Sequence, residues 1–239
     1  VIAFGATLDR PSEPAVWMPY RAYLGWKEQS RSFSSISAAF FNSVTVTTAT
    51  DARSALGLEV SPDFFETFGV PPLLGRTLQP SDVSGPRVVV LSHGFWLRQF
   101  GGSPSVVGTT VTLSDVPYEV IGVMPREFDL RILDRPEGLE FWTPFRAGDS
   151  RYAAGTMSPV AIIGRLKNGL TIEASRSEVA AITRTIESGY QINFNQFAVN
   201  VSSLQEDNSS TVRSTLLTVS AAVFCLLLIA AMNVGALTL

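Results

Sequence analysis

Three hydrophobic rhythms divide the chain. Near its end, Leu216 to Leu239 reads LLTVSAAVFCLLLIAAMNVGALTL, and no charged residue falls between Ser214 and Leu239. A bilayer's hydrocarbon core is roughly 30 Å thick and takes about 20 apolar residues in helix to cross. Such a helix satisfies its own backbone hydrogen bonds in lipid. The pattern predicts a membrane helix over 214–239. The competing reading, a buried core helix of a soluble protein, is disfavoured because such helices rarely stay uncharged beyond about 14 residues.

The second rhythm is that of strands. Val44–Thr48 alternates as VTVTT, Leu56–Val60 is a short strand, and Arg87–Leu91 reads RVVVL, a continuous apolar run suited to burial on both faces. Val111–Leu113 and Tyr118–Val123 flank Ser114-Asp115 as a hairpin. Phe141–Phe145, Val160–Leu166 and Phe197–Val201 complete the predicted strands.

The third rhythm is helical. Pro19 suits the first turn of a helix through Tyr20–Gln29, where Tyr20, Tyr23, Leu24 and Lys27 share helical spacing and Ser30–Ser35 breaks the pattern. Ser61-Pro62-Asp63 starts a short helix, Phe64–Phe68, ended by Gly69. Pro71–Pro80 reads as irregular connection. Ser92 caps a helix through Phe100 that Gly101-Gly102 stops. Thr171 caps the best helix before the apolar run, with Ile172, Ser175, Val179, Ile182 and Ile186 on one face and Gly189 as its C-cap. Tyr152–Thr156 reads as a linker. Helices and strands alternate irregularly, which predicts an α+β fold rather than a doubly wound sheet.

Composition adds limits. The 239 residues allow one or two domains. Net charge is −3, from 18 Lys+Arg against 21 Asp+Glu, and no basic stripe appears, so no nucleic-acid partner is expected. The single cysteine, Cys225, lies in the apolar run, which rules out an intramolecular disulfide and a cysteine metal cluster. The chain begins at Val1 without a signal-type segment, and reads as a piece of a longer protein, so that any signal or first membrane helix is expected upstream.

Recognisable catalytic patterns are missing. There is no Gly-Lys pair for a phosphate loop, no Gly-x-Ser-x-Gly elbow and no His-Glu-x-x-His. His93, the one histidine, stands beside Ser92, a poor position for proton transfer to that hydroxyl. The carboxylate pairs Asp63/Glu66, Glu127/Asp129 and Glu137/Glu140 read as solvated surface acids. No catalytic residue, cofactor or metal is expected. Of the tryptophans Trp17, Trp26, Trp96 and Trp142, the last two suit a core better than a binding surface.

From Ser61 onward the motifs form an ordered set. VSPDFFETFGVPPLLGRTLQPSD is followed by VVVLSHGFWLRQFGGSPSVVGTTVTLSDVPYEVIGVMPREFDL, then by Phe141-Trp-x-Pro, Gly164-Arg-Leu-Lys-Asn-Gly-Leu-Thr and Ala231-Met-Asn-Val-Gly-Ala-Leu. This set resembles the extracytoplasmic core domain of MacB-like ABC transporter permeases, followed by the first helix of their FtsX-like permease domain. The stretch Met18–Phe40 is most similar to the subset abundant in acidobacteria. Ser114-Asp115 stands where Asn-Gly is usual in the hairpin.

The resemblance implies a two-lobed extracytoplasmic domain over 1–211. A porter-like lobe would comprise about 1–55 and 157–211, with an inserted β-rich lobe at about 56–156, before one transmembrane helix at 214–239. It also implies a bacterial inner-membrane permease, paired or homodimeric, with a cytoplasmic ABC ATPase subunit or domain, a periplasmic adaptor and membrane lipid as partners. Its outer domain would transmit ATP-driven movement to a substrate that is exported or extracted. Asn233 would pack the helix bundle or sit at headgroup level, and both readings stand. Ala231 and Gly235 permit close helix approach, or are ordinary membrane composition. Two other functions remain open: a membrane-anchored binding or sensor domain without a coupled ATPase, and a tethered hydrolase.

Overall fold

The computed structural model describes residues 2–8, 18–47, 52–128, 138–152, 159–190 and 197–203. Val1–Ser202 form one compact unit, and the second, Ser203–Leu239, lies outside the described residues apart from Ser203. The span expected at 214–239, with Ala231, Asn233 and Gly235, therefore lies outside them, as does Trp17. Among the described residues no helix is long and apolar enough to cross a membrane.

The described chain is a mixed α/β structure built on one large sheet. Its strands are β1 (Ile2–Leu8), β2 (Met18–Pro19), β3 (Phe33–Thr47), β4 (Ala52–Val60), β5 (Leu74–Gly75), β6 (Val88–Leu91), β7 (Thr110–Leu113), β8 (Val116–Val123), β9 (Phe141–Pro144), β10 (Pro159–Leu166) and β11 (Phe197–Ser203). The helices are α1 (Tyr20–Gln29), α2 (Phe64–Phe68), α3 (His93–Phe100) and α4 (Ile172–Tyr190). The strand order is β11-β1-β10-β3-β4-β9-β6-β8-β5, with β2 on β10 and β7 on both β3 and β8.

The backbone of the unit is β3. Its 15 residues span about 50 Å at the usual strand rise. The first half pairs with β10 and the second with β4, and the exchange happens at Ala39, opposite both Ala161 and Val60. Beyond Ala39 the sheet closes. β4 pairs with β9, β9 with β6, β6 with β8, β8 with β7, and β7 returns to β3 through Val46↔Leu113 and Thr47↔Thr112. Closure leaves no open edge in this ring of six strands.

Among the described residues, an apolar core lies on each side of the exchange point. Every strand of the ring supplies the far core: Val46, Ala55, Val89, Leu91, Val111, Leu113, Val120, Val123 and Phe141, joined by Phe95 and Trp96 of α3. Their burial drives closure, since a ring this small is filled by side chains. The near core packs α1 and α4 on β3 and β10 through Trp26, Ile36, Val160, Ile162, Val179, Ile182 and Ile186. Trp26 Nε1 donates to Thr183 Oγ1 at 2.8 Å, so the largest side chain of α1 is buried with its polar atom bonded. Trp96 and Trp142 are core residues as expected, 9% and 1% exposed.

Several local expectations need correction. The break expected over Ser30–Ser35 covers only Ser30–Ser32, and β3 starts at Phe33. Glu178 of α4 accepts from Ser30 Oγ and from the Arg31 and Ser32 amides at 2.7–3.0 Å, completing the turn in three residues. β4 begins at Ala52 rather than Leu56 because β3 pairs along its whole length. β5 forms within the stretch read as irregular, and α4 runs one residue past Gly189. Leu24, grouped with the α1 stripe, is 46% exposed.

Candidate functional site

The seam where β3 passes from one core to the other gathers more polar chemistry than its surroundings. Tyr20, Tyr23 and Lys27 of α1 lie one turn apart along it. Lys27 hydrogen-bonds and ion-pairs with Asp63, the residue that precedes α2. Burial is the largest single influence and disfavours the Lys27 charge, but the hydrogen bonds and charges of Asp63 and Tyr23 together outweigh it and raise the ammonium above its ordinary pKa. Burial likewise pushes the Tyr23 hydroxyl up. Ser61 Oγ accepts from the Ala38 amide at 3.0 Å, beside the exchange point.

From the β10 side, Arg165 Nε donates to the Thr67 carbonyl at 2.9 Å. Thr67 belongs to the last turn of α2, where carbonyls lack helical partners. Ser35 of β3 bonds the Thr67 hydroxyl at 2.7 Å. The short helix is thus tied to β3, β10 and α1.

The densest point is Glu59 of β4, a carboxylate 7% exposed. Arg151 Nη2 donates to both of its oxygens at 3.0 Å. Tyr152 Oη donates to it at 2.7 Å and Asn42 Nδ2 at 3.0 Å. Buried charge is tolerated only when paired and hydrogen-bonded, and Glu59 is both. Asp149 chelates the same guanidinium, and that bond holds the Asp149 carboxyl below its ordinary pKa while raising that of Arg151. Burial first, and the Glu59 charge second, push the Tyr152 hydroxyl far up. The Tyr152 ring packs on Phe145 at 4.5 Å and on Tyr20 of α1 at 5.1 Å.

A groove of about 700 Å³ lies on the far half. Its walls include Ser92, His93, Leu97, Arg98, Arg126 and Glu140. The Ser92 hydroxyl accepts from the Phe95 amide at 3.2 Å, so it is used as the expected helix cap. His93 packs edge-on to Trp96. Glu140 is no solvated acid: its side chain is 12% exposed and pairs with Arg53 and Arg98. Asp63, paired with Lys27, departs from that expectation in the same way. Asp129 and Glu137 lie outside the described residues. Among the described residues no group of three His, Cys, Asp or Glu is arranged to hold a metal ion.

Glu59, Arg151 and Tyr152 were not legible as a cluster. Glu59 stood inside an apolar strand, Leu58-Glu59-Val60, and an acid between two buried aliphatics is the signal that marks it. Tyr152 was read only as the start of a linker.

Comparison with known proteins follows this geometry. The family model of the MacB-like periplasmic core domain matches residues 3–182. A curated relative, the probable syringafactin export ATP-binding/permease protein SyfD of Pseudomonas syringae pv. syringae (strain B728a), is 30% identical over 111 residues. That match covers 46% of this chain and only 16% of the relative. The periplasmic region of MacB from Actinobacillus actinomycetemcomitans aligns with a TM-score of 0.62 at 16% identity, covering 90% of this chain and 91% of that one. The extracellular domain of the noncanonic ABC-type transporter YknZ from Gram-positive bacteria aligns at 0.60 and 17% identity, covering 83% and 98%. A domain of a putative permease protein from Porphyromonas gingivalis aligns at 0.56 and 15% identity, covering 84% and 85%. At these identities the structures speak for the fold, and the family match speaks for membership. The chain belongs to the MacB-like periplasmic core domain family of ABC transporter permeases.

Proposed function

We propose that this domain is the extracytoplasmic lever of an ABC export permease, carrying movement from the membrane to a substrate without passing it through the bilayer. The observation that carries this reading is the path through the sheet. β1 and β11, the first and last strands described, are neighbours, and β10 links them to β3. β3 then runs unbroken into the closed ring. Displacement applied at the terminal strands passes through hydrogen-bonded backbone to the far core. In this reading the near core belongs to the porter-like lobe and the far core to the inserted β-rich lobe, although Val46 and Ala55 of the far core fall within 1–55 and Phe145 of the near core within 56–156.

In this reading the run 214–239 is a transmembrane helix that anchors the domain outside the inner membrane. Ala231, Asn233 and Gly235 pack that helix against neighbouring permease helices, and the permease is paired. The ATPase is a cytoplasmic subunit or domain, and a periplasmic adaptor receives the movement. The domain itself is not catalytic.

The test uses the whole permease with its ATPase in lipid vesicles. A reporter at the exposed Val107, on the far half, is measured against one in the membrane helices. The expected result is a distance change on ATP binding that reverses on hydrolysis. ATP turnover with no displacement of Val107 overturns the lever. The runner-up, an anchored binding domain without a coupled ATPase, draws on the groove at Arg98 and Arg126. It gains if Val107 stays still while a ligand saturates that groove.

A further inference from the structure

Among the described residues, β4 carries a carboxylate buried at the seam, Glu59, with four donor contacts on it. Those contacts come from β3 (Asn42) and from the segment that leads the chain back out of the ring (Arg151 and Tyr152). The same segment is held to the end of β4 by the Phe145 amide, which donates to the Val60 carbonyl at 2.9 Å. Through the Tyr152 ring it is held to Tyr20 of α1 as well. Arg151 also lies over the rings of Phe40 and Tyr152, at 5.9 and 5.3 Å from their centroids. Glu59 therefore joins three stretches of chain and, through Tyr152, the helix that covers the near core.

From this geometry we propose that Glu59, Arg151 and Tyr152 form a latch that makes the two halves of the domain move as one stiff body. The inference rests on the lever reading and adds a positioning group to it. A pair of strands crossing alone bends readily, because a ribbon has little resistance out of its own plane. α2 already ties the seam to β3, β10 and α1, and the latch adds a further tie, displaced from the β3–β4 ladder and anchored on α1. Arg151 Nη2 bridges both Glu59 oxygens while Asp149 holds the Nε and Nη2 fork of the same guanidinium, which fixes the plane from which Glu59 is reached. The aromatic stack on Phe145 and Tyr20 fills the space between the ties, so the junction cannot fold into a gap.

The experiment compares the full chain with Glu59→Gln, Arg151→Gln and Tyr152→Phe. Spin labels are placed at Leu170, before α4, and at Val107, on the ring; both sites are exposed. Cys225→Ser removes the one native cysteine. Hydrogen exchange is followed at the Phe145 and Tyr152 amides. The expected result is a broader Leu170–Val107 distance distribution in each variant. Exchange at the two seam amides should be about tenfold or more faster, as loss of a charge-assisted bond implies, while exchange in the β3–β10 ladder stays unchanged. Tyr152→Phe keeps the ion pair, so it reports even if the other variants fold poorly. An unchanged distribution width with unchanged seam exchange in folded Tyr152→Phe and Arg151→Gln overturns the latch. Broadening without any effect on ATP-driven export leaves the latch standing and sinks the lever.

Discussion

Gly57 of β4 faces the ring of Phe141 on β9, and there is no room between them for even a methyl group. The two residues are register partners in the parallel β4–β9 pair, and a Cβ on Gly57 would collide with three ring carbons of Phe141. Phe141 is fully buried in the far core, so its ring has nowhere to retreat. Gly57→Ala should destabilise the domain by about 1–3 kcal/mol, the usual cost of overpacking a closed core. Urea unfolding followed by tryptophan fluorescence measures it. Gly57→Ala combined with Phe141→Leu should recover part of the loss, and additive costs would show that the two residues do not oppose each other.

Gly25 of α1 looks similar and should behave differently. Its Cβ would collide with Cδ1 of Ile186 on α4, the far end of a flexible side chain. Alanine also gains about 0.5–1 kcal/mol over glycine inside a helix. Gly25→Ala should therefore fall within about 0.5 kcal/mol of the unchanged protein. A loss as large as that of Gly57→Ala would mean that the α1–α4 contact is as rigid as the ring.

These two glycines mark what local pattern reveals and what it hides. The helix at Tyr20–Gln29, the Ser92 cap and the hairpin at Ser114-Asp115 were legible because each depends on neighbours in sequence. Ring closure was not. It depends on Val46 meeting Leu113, residues far apart in the chain, and nothing in either strand names its partner. The seam was hidden for the same reason. Glu59 finds Arg151 across 92 residues, and its short apolar surroundings read only as a strand. The Tyr20, Tyr23 and Lys27 spacing was visible, but not that it runs along a junction.

Acid should weaken the far half through Asp82. Arg76 binds its two oxygens at 2.7 and 2.9 Å, and this holds the carboxyl below its ordinary value of 3.8. With a depressed folded pKa, the unfolded chain binds more protons in the window between the two values. Stability is then fully present above about pH 4–5 and is lost as pH falls through the folded value. Glu178 adds in the same direction: burial raises its pKa, but bonds from Ser30–Ser32 outweigh that and hold it below 4.5. Urea midpoints measured from pH 6 to pH 2 should fall, and Asp82→Asn should flatten part of the slope. A slope unchanged in Asp82→Asn assigns the acid sensitivity elsewhere.

The hairpin that closes the ring carries strain at its tip. Ser114 and Asp115 adopt φ of 48° and 63°, the left-handed conformation that a two-residue turn of this hand requires. That conformation costs an ordinary residue about 1–2 kcal/mol, and an aspartate less. Asp115→Gly removes the strain and gives back about 0.5–1 kcal/mol through greater freedom of the unfolded chain. The net gain should be about 0.5 kcal/mol. Ser114 is not equivalent, because its hydroxyl accepts from the Thr45 amide at 3.3 Å and ties the turn to β3. Ser114→Gly should therefore give no gain, since relief of strain is offset by the lost bond. Thermal unfolding of the two variants separates the effects: Ser114→Gly keeps the backbone bond from residue 114 to the Thr45 carbonyl, so equal stabilisation of both would mean that the Ser114 hydroxyl bond contributes nothing.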